Sequence, residues 1–163
     1  MQAPLSKGAI GCIGKCISGL TPEDLDQITD NISKTLAHPR GRDIFKRYLE
    51  RRKLKVNLEC LELYETCAKF IDKEKYLSHS RRGSSVESLA EDVSRVMEMA
   101  EDLDGVPQID LALLKQFDEA LTKNSRSDMF AMLEETRDRT RDYLRDIHES
   151  FKEYASEPCP LNK

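Results

Sequence analysis

Apolar residues in this chain recur every three or four positions over most of its length. Leu25, Ile28, Ile32 and Leu36 keep that spacing, as do Leu58, Leu61, Tyr64, Ala68 and Ile71, and later Leu89, Val93, Val96, Ala100 and Leu103. Such a period gathers the apolar side chains on one stripe of a helix and leaves the other face to water. Turn formers are few, with 7 Gly and 6 Pro in 163 residues. Charged residues make up 34% of the chain, where about 25% is usual. A β-sandwich and a disordered tail are both excluded. An all-α fold of one ordinary domain is expected, because a single core is commonly built from about 100 to 150 residues.

The first helix starts at Thr21-Pro22-Glu23-Asp24, with Thr21 as cap, Pro22 in the first helical position and two acids at the positive end of the dipole. It is expected to run through Leu36 and to end at His38-Pro39-Arg40-Gly41. A second spans Asp43 to Lys53 with Ile44, Phe45, Tyr48 and Leu49 buried, and a third begins near Asn57. Cys60 and Cys67, seven apart on it, read as small core hydrophobes. The period is lost from Asp72 to Ser85, and Ser78 to Ser85 reads as an exposed loop. A fourth helix over Leu89 to Leu103 is stopped by Asp104-Gly105 and Pro107. Ile109 to Leu121 carries Leu113, Leu114 and Phe117 on a fifth. The last region, Ser127 to Tyr154, contains the stretch Glu134 to Asp142 without one apolar residue. One long helix is expected there, projecting into solvent and laced by acid–Arg pairs three or four apart.

Five cysteines without a repeating spacing argue against a secreted disulfide framework and for reduced thiols in a cytoplasmic protein. No apolar run is long enough to span a bilayer. Gly8 to Cys16 superficially resembles a phosphate loop, but Ala9 stands at the first glycine position and Cys16 where the metal-binding hydroxyl belongs. Cys12 and Cys16 are candidate acylation sites that would place the protein peripherally at the plasma membrane, against the plainer reading of ordinary thiols. His38, His79 and His148 have no nucleophile motif beside them, and no complete metal ligand set is present. No catalytic residue, cofactor, metal or small-molecule substrate is therefore expected.

Charge is unevenly spread. The net charge is -4, which argues against nucleic acid as a partner. Within His38 to Lys55, however, Arg40, Arg42, Lys46, Arg47, Arg51, Arg52, Lys53 and Lys55 face only Asp43 and Glu50, a local +6 in a body of -10. The plain reading is a solvated helix face; the alternative is a docking surface of a helical adaptor or scaffold for an acidic partner or for anionic membrane. Arg81-Arg82-Gly83-Ser84 resembles a basophilic kinase site, with Ser84 as acceptor.

The order of elements carries one resemblance. The run Ile28 to Ile71, with Gly41, Phe45, Tyr48, Leu49, Asn57 and Leu58, resembles the opening of a regulator of G-protein signalling (RGS) domain. Ala90 to Leu103, Ile109-Asp110-Leu111, Leu114 to Leu121, Phe130, Tyr143, Leu144 and Phe151 follow that family's later helices in order. The resemblance covers roughly Leu25 to Ser156. It implies a four-helix bundle plus a subdomain formed by the chain ends, and a heterotrimeric G-protein α subunit (Gα) as partner. It also implies GTPase activation without chemistry of the protein's own: the domain holds the switch segments, and an Asn supports the Gln that orients the attacking water.

The implied contact surface is Val56, Asn57, Asp110, Asp146 and Ser150. Asn57 and Asp146 match the family. Val56 replaces a Glu, Asp110 the second Asn and Ser150 an Arg; a three-residue insertion is needed to align the last helix, and Leu61 replaces a Trp. A carboxylate at Asp110 against developing phosphate charge is unfavourable, so weak or absent GTPase acceleration is expected. The expected organisation is an N-terminal segment 1–20, membrane-proximal if its cysteines are acylated, an RGS-like helical domain 21–156, and a tail 157–163.

Overall fold

Thr21 opens the first helix with a capping box. Its hydroxyl accepts the Asp24 N–H at 3.0 Å, while the Asp24 carboxylate accepts the Thr21 N–H. The computed structural model describes residues 21–78 and 85–156, and among them it contains seven helices and no strand. They are α1 (Pro22–Ile28), α2 (Ile32–Ala37), α3 (Pro39–Arg51), α4 (Lys55–Ser78), α5 (Val86–Glu101), α6 (Leu111–Lys123) and α7 (Arg126–Ser156). The readings of Cys12, Cys16 and Ser84 lie outside the described residues.

The helix expected to run unbroken to Leu36 is two helices. Thr29 turns its hydroxyl onto the Leu25 carbonyl at 2.8 Å, and Asn31 caps α2 by accepting the Lys34 N–H at 2.9 Å. Short polar side chains that bond nearby backbone compete with helix continuation, and here they win. His38 ends α2 as its C-cap, as expected, and the same residue starts the next helix. His38 Nδ1 accepts the Arg40 N–H at 3.1 Å, and Pro39 supplies the first helical residue of α3. Gly41 then lies against the α1–α2 region: a Cβ there would sit 2.7 Å from both Ile28 Cγ2 and the Thr35 carbonyl oxygen, closer than packed atoms allow.

The chain divides into two compact units. One joins its two ends, Met1–Leu58 with Leu144–Lys163; the other is Glu59–Tyr143. Helices α4 and α7 each run from one unit into the other.

In the end-built unit Leu49 and Leu144 are buried, and Phe45 and Tyr48 on the buried stripe of α3 meet His148 and Phe151 of α7. Phe45 and Phe151 rings lie 5.0 Å apart, and Tyr48 and Phe151 5.4 Å, at the tilted angles aromatic quadrupoles favour. The α1–α2 junction is tied to α7 by polar bonds as well. Thr35 Oγ1 donates to the Ile28 carbonyl at 3.1 Å and lies 2.7 Å from His148 Nε2, and Lys152 Nζ donates to the Asp30 carbonyl at 3.0 Å.

The middle unit contains four helical segments. Cys60 and Cys67 are fully buried, as expected, with Leu61, Leu63 and Ile71 on the same helix. Burial pushes each thiol up to about 12. Ser85 caps α5, and α6 ends at Asn124, whose φ of 54° gives the left-handed turn that Asn tolerates.

In this unit polar residues occupy buried helical positions. The period is lost at Asp72, yet α4 continues to Ser78 with Glu74 buried and its carboxylate 3.2 Å from Arg126 Nη1; the loop expected over Ser78 to Ser85 lies almost wholly outside the described residues. Glu134 to Asp142 does not project into solvent as expected. Thr136 and Thr140 are fully buried four residues apart, and the Thr140 hydroxyl donates to the Thr136 carbonyl at 2.9 Å. The expected charge lacing is present, with Arg139 on Glu135 at 2.7 Å and Arg141 on Asp138 at 3.4 Å.

Candidate functional site

The five residues named by the resemblance fall in two places. Val56 and Asn57 lie half-buried in the first turn of α4, within the end-built unit. Asp146 and Ser150 are exposed one turn apart on the α7 portion of the same unit. Four residues is close to one helical repeat, so these two share a face. Asp110 belongs to the middle unit.

Asp110 has a structural task of its own. It is the N-cap of α6, and its Oδ1 accepts the Leu113 N–H at 2.9 Å. The same oxygen lies 3.6 Å from Arg139 Nη1, which also donates to the Gln108 carbonyl at 2.9 Å. A cap at a helix N-terminus with a guanidinium beside it is a stable place for a carboxylate. Next to it Leu111 is 83% exposed, an unusual position for a large apolar side chain.

The eight cations between Arg40 and Lys55 do not share one face. Arg40, Arg47 and Arg51 are exposed on α3 at positions i, i+7 and i+11, and Arg52, Lys53 and Lys55 follow in the turn. Lys46 is exposed off that line. Arg42 is half-buried and donates to the Leu36 carbonyl at 2.8 Å. Arg52 folds back over the Tyr48 ring and donates to its hydroxyl at 2.7 Å.

Concavities are found among the described residues of the middle unit. A groove of about 650 Å³ is lined by Glu74, Lys75, Ser125, Arg126, Ser127 and Phe130. A smaller one of about 170 Å³ is lined by Glu59, Glu62, Met99, Asp102 and Leu103. The groove combines an ion pair with hydroxyls and an aromatic ring, which suits binding more than bond-making. Among the described residues no group of three His, Cys, Asp or Glu is placed to hold a metal ion.

The residue that sequence reasoning passed over is His148. It is 1% exposed, packed against Phe45 and Phe151 at ring distances of 5.7 and 5.6 Å. Burial, and then the nearby Lys152 charge, lower its pKa to about 4. Thr35 has one hydroxyl proton, and with that proton on the Ile28 carbonyl the imidazole is the donor, through Nε2–H. The available signal was spacing: Leu144, His148, Phe151 and Ala155 keep the apolar period. No family model, no curated protein and no solved structure matches this chain.

Proposed function

We propose that this chain is a divergent RGS-like module that binds a heterotrimeric G-protein α subunit, with weak or absent acceleration of GTP hydrolysis. One observation carries the reading. The residues of the resemblance, Phe45, Tyr48 and Leu49, form the buried face of a unit closed by both chain ends, and Asn57, Asp146 and Ser150 lie on that unit. The four helical segments of the middle unit correspond, in this reading, to the family's bundle.

The chemistry at Asp110 accounts for the weak acceleration. An Asn there offers N–H donors to the Gln that positions water; an ionised Asp only accepts. Its oxygen is moreover engaged by Leu113 N–H and Arg139. Asp110→Asn keeps the cap, because Asn caps as well as Asp, and restores a donor. Single-turnover GTP hydrolysis by a panel of Gα subunits is the test. Wild type is expected near the intrinsic rate and Asp110→Asn above it on the Gα subunits that bind. If neither protein changes any rate and neither binds, the reading is wrong.

A further inference from the structure

Arg139 of α7 touches the loop ahead of α6 at two points. Its Nη1 donates to the Gln108 carbonyl at 2.9 Å and lies 3.6 Å from Asp110 Oδ1. The guanidinium is held from its own helix as well, since Nε donates to Glu135 Oε2 at 2.7 Å, one turn earlier. One cation therefore joins three oxygens, two of them charged. All these residues belong to the middle unit.

The loop that carries Asp110 is itself tied down. Gly105 turns it at φ 85°, a left-handed value that suits glycine, and Val106 is buried. The Ile109 N–H donates to the Val106 carbonyl at 3.0 Å, and Asp110 caps α6 by accepting the Leu113 N–H. The carboxylate so held still faces water: the Asp110 side chain is 52% exposed and that of Arg139 27%. An ion pair this exposed is worth little to the free protein.

Covering it changes the balance. A partner laid over Asp110 strips its water, and a carboxylate left alone there would lose hydration and repel the partner's phosphates. Arg139 lies beside that carboxylate, and removing water strengthens the attraction between the two. We propose, resting on the Gα reading, that Arg139 is the positioning residue of the Asp110 contact: it fixes the loop and offsets the carboxylate's charge when a Gα subunit covers it. An Asn at this position would need no such offset. Arg139 is therefore what lets an Asp stand in the contact and still permit binding. Glu135 takes a share of the same cation, which leaves the offset partial.

A double-mutant cycle of calorimetric binding to Gα subunits in the GDP–aluminium fluoride form separates this role from simple anchoring of the loop. Arg139→Gln is expected to weaken binding about tenfold when Asp110 is present, and less than about threefold in the Asp110→Asn chain, because only the first leaves a covered carboxylate unpaired. Arg139→Lys, which keeps the charge and loses the planar fork, should retain more affinity than Arg139→Gln. Circular dichroism melts matching wild type keep the comparison to binding. Equal losses in the two backgrounds, no loss in either, or a Lys variant as weak as the Gln variant each overturns the proposal and leaves the Gα reading standing. Absence of wild-type binding to every Gα contradicts the Gα reading itself, and the proposal falls with it.

Discussion

The end-built unit and the middle unit both bury polar side chains, and they satisfy them differently. At the chain ends, Thr35 sits at a junction: its hydroxyl serves Ile28 of α1 and His148 of α7, 113 residues away in sequence. In the middle unit Thr136 is equally buried, yet among the described residues its hydroxyl has no hydrogen-bond partner. Burying a paired hydroxyl is nearly neutral, and burying an orphan costs a desolvation penalty. The same residue type is therefore a fastener in one unit and a liability in the other. The middle unit has polar ties of its own, such as Glu74 with Arg126 and the Thr140 hydroxyl on the Thr136 carbonyl, so the contrast is between these two threonines.

The sharpest way to break this contrast is at the aromatic cluster. Phe151→Ala removes a fully buried ring from among Phe45, Tyr48 and His148 and should cost about 4 kcal/mol in urea unfolding. A cost below about 1 kcal/mol would mean the two chain ends are not joined by that cluster.

Acid comes next. The folded-state pKa of His148 is lowered to about 4 from an ordinary 6.5. The unfolded chain therefore takes up the proton first as pH falls. Stability from this group is complete above about pH 6.5, declines down to about pH 4, and is level below, for a loss of about 3 kcal/mol. His148→Gln should flatten that portion of the stability curve in denaturant melts taken across the range. An unchanged slope would assign the acid sensitivity to other groups.

The two threonines give smaller effects of opposite sign. Thr35→Val strands the His148 Nε2–H and the Ile28 carbonyl and should destabilise by about 2 kcal/mol. Thr136→Val exchanges an orphan hydroxyl for a methyl of the same shape and should be neutral or stabilising by about 1 kcal/mol. Melts that move both variants in the same direction would erase the distinction between the two threonines. The smallest effect is kinetic: Cys60 and Cys67, with thiols pushed up to about 12, should stay unreactive toward a thiol reagent until the chain unfolds.

Helix class, most helix positions and the buried cysteines were legible in the sequence, because a 3.6-residue apolar period leaves little room for another fold. What it hid was polar. Ile28 and Ile32 keep the period straight across the break at Thr29 to Asn31, so only the side-chain chemistry of Thr29 and Asn31 marked it. Glu74, Thr136, Thr140 and His148 stand on buried stripes, and a hydropathy reading discards them by type. For the candidate surface, sequence supplied the residues but not their engagements. The cap that Asp110 makes on Leu113 N–H is local, but the pairing of its carboxylate with Arg139 spans 29 positions and has no local signal.

The central claim is recognition of a Gα subunit by this chain. The most direct measurement is calorimetric binding to a panel of Gα subunits in their GDP and GDP–aluminium fluoride forms, with wild type and Asn57→Ala side by side. The account predicts that at least one Gα binds wild type more tightly in the aluminium fluoride form, and that Asn57→Ala weakens it without altering the fold. Absence of binding to every Gα in either form would contradict it.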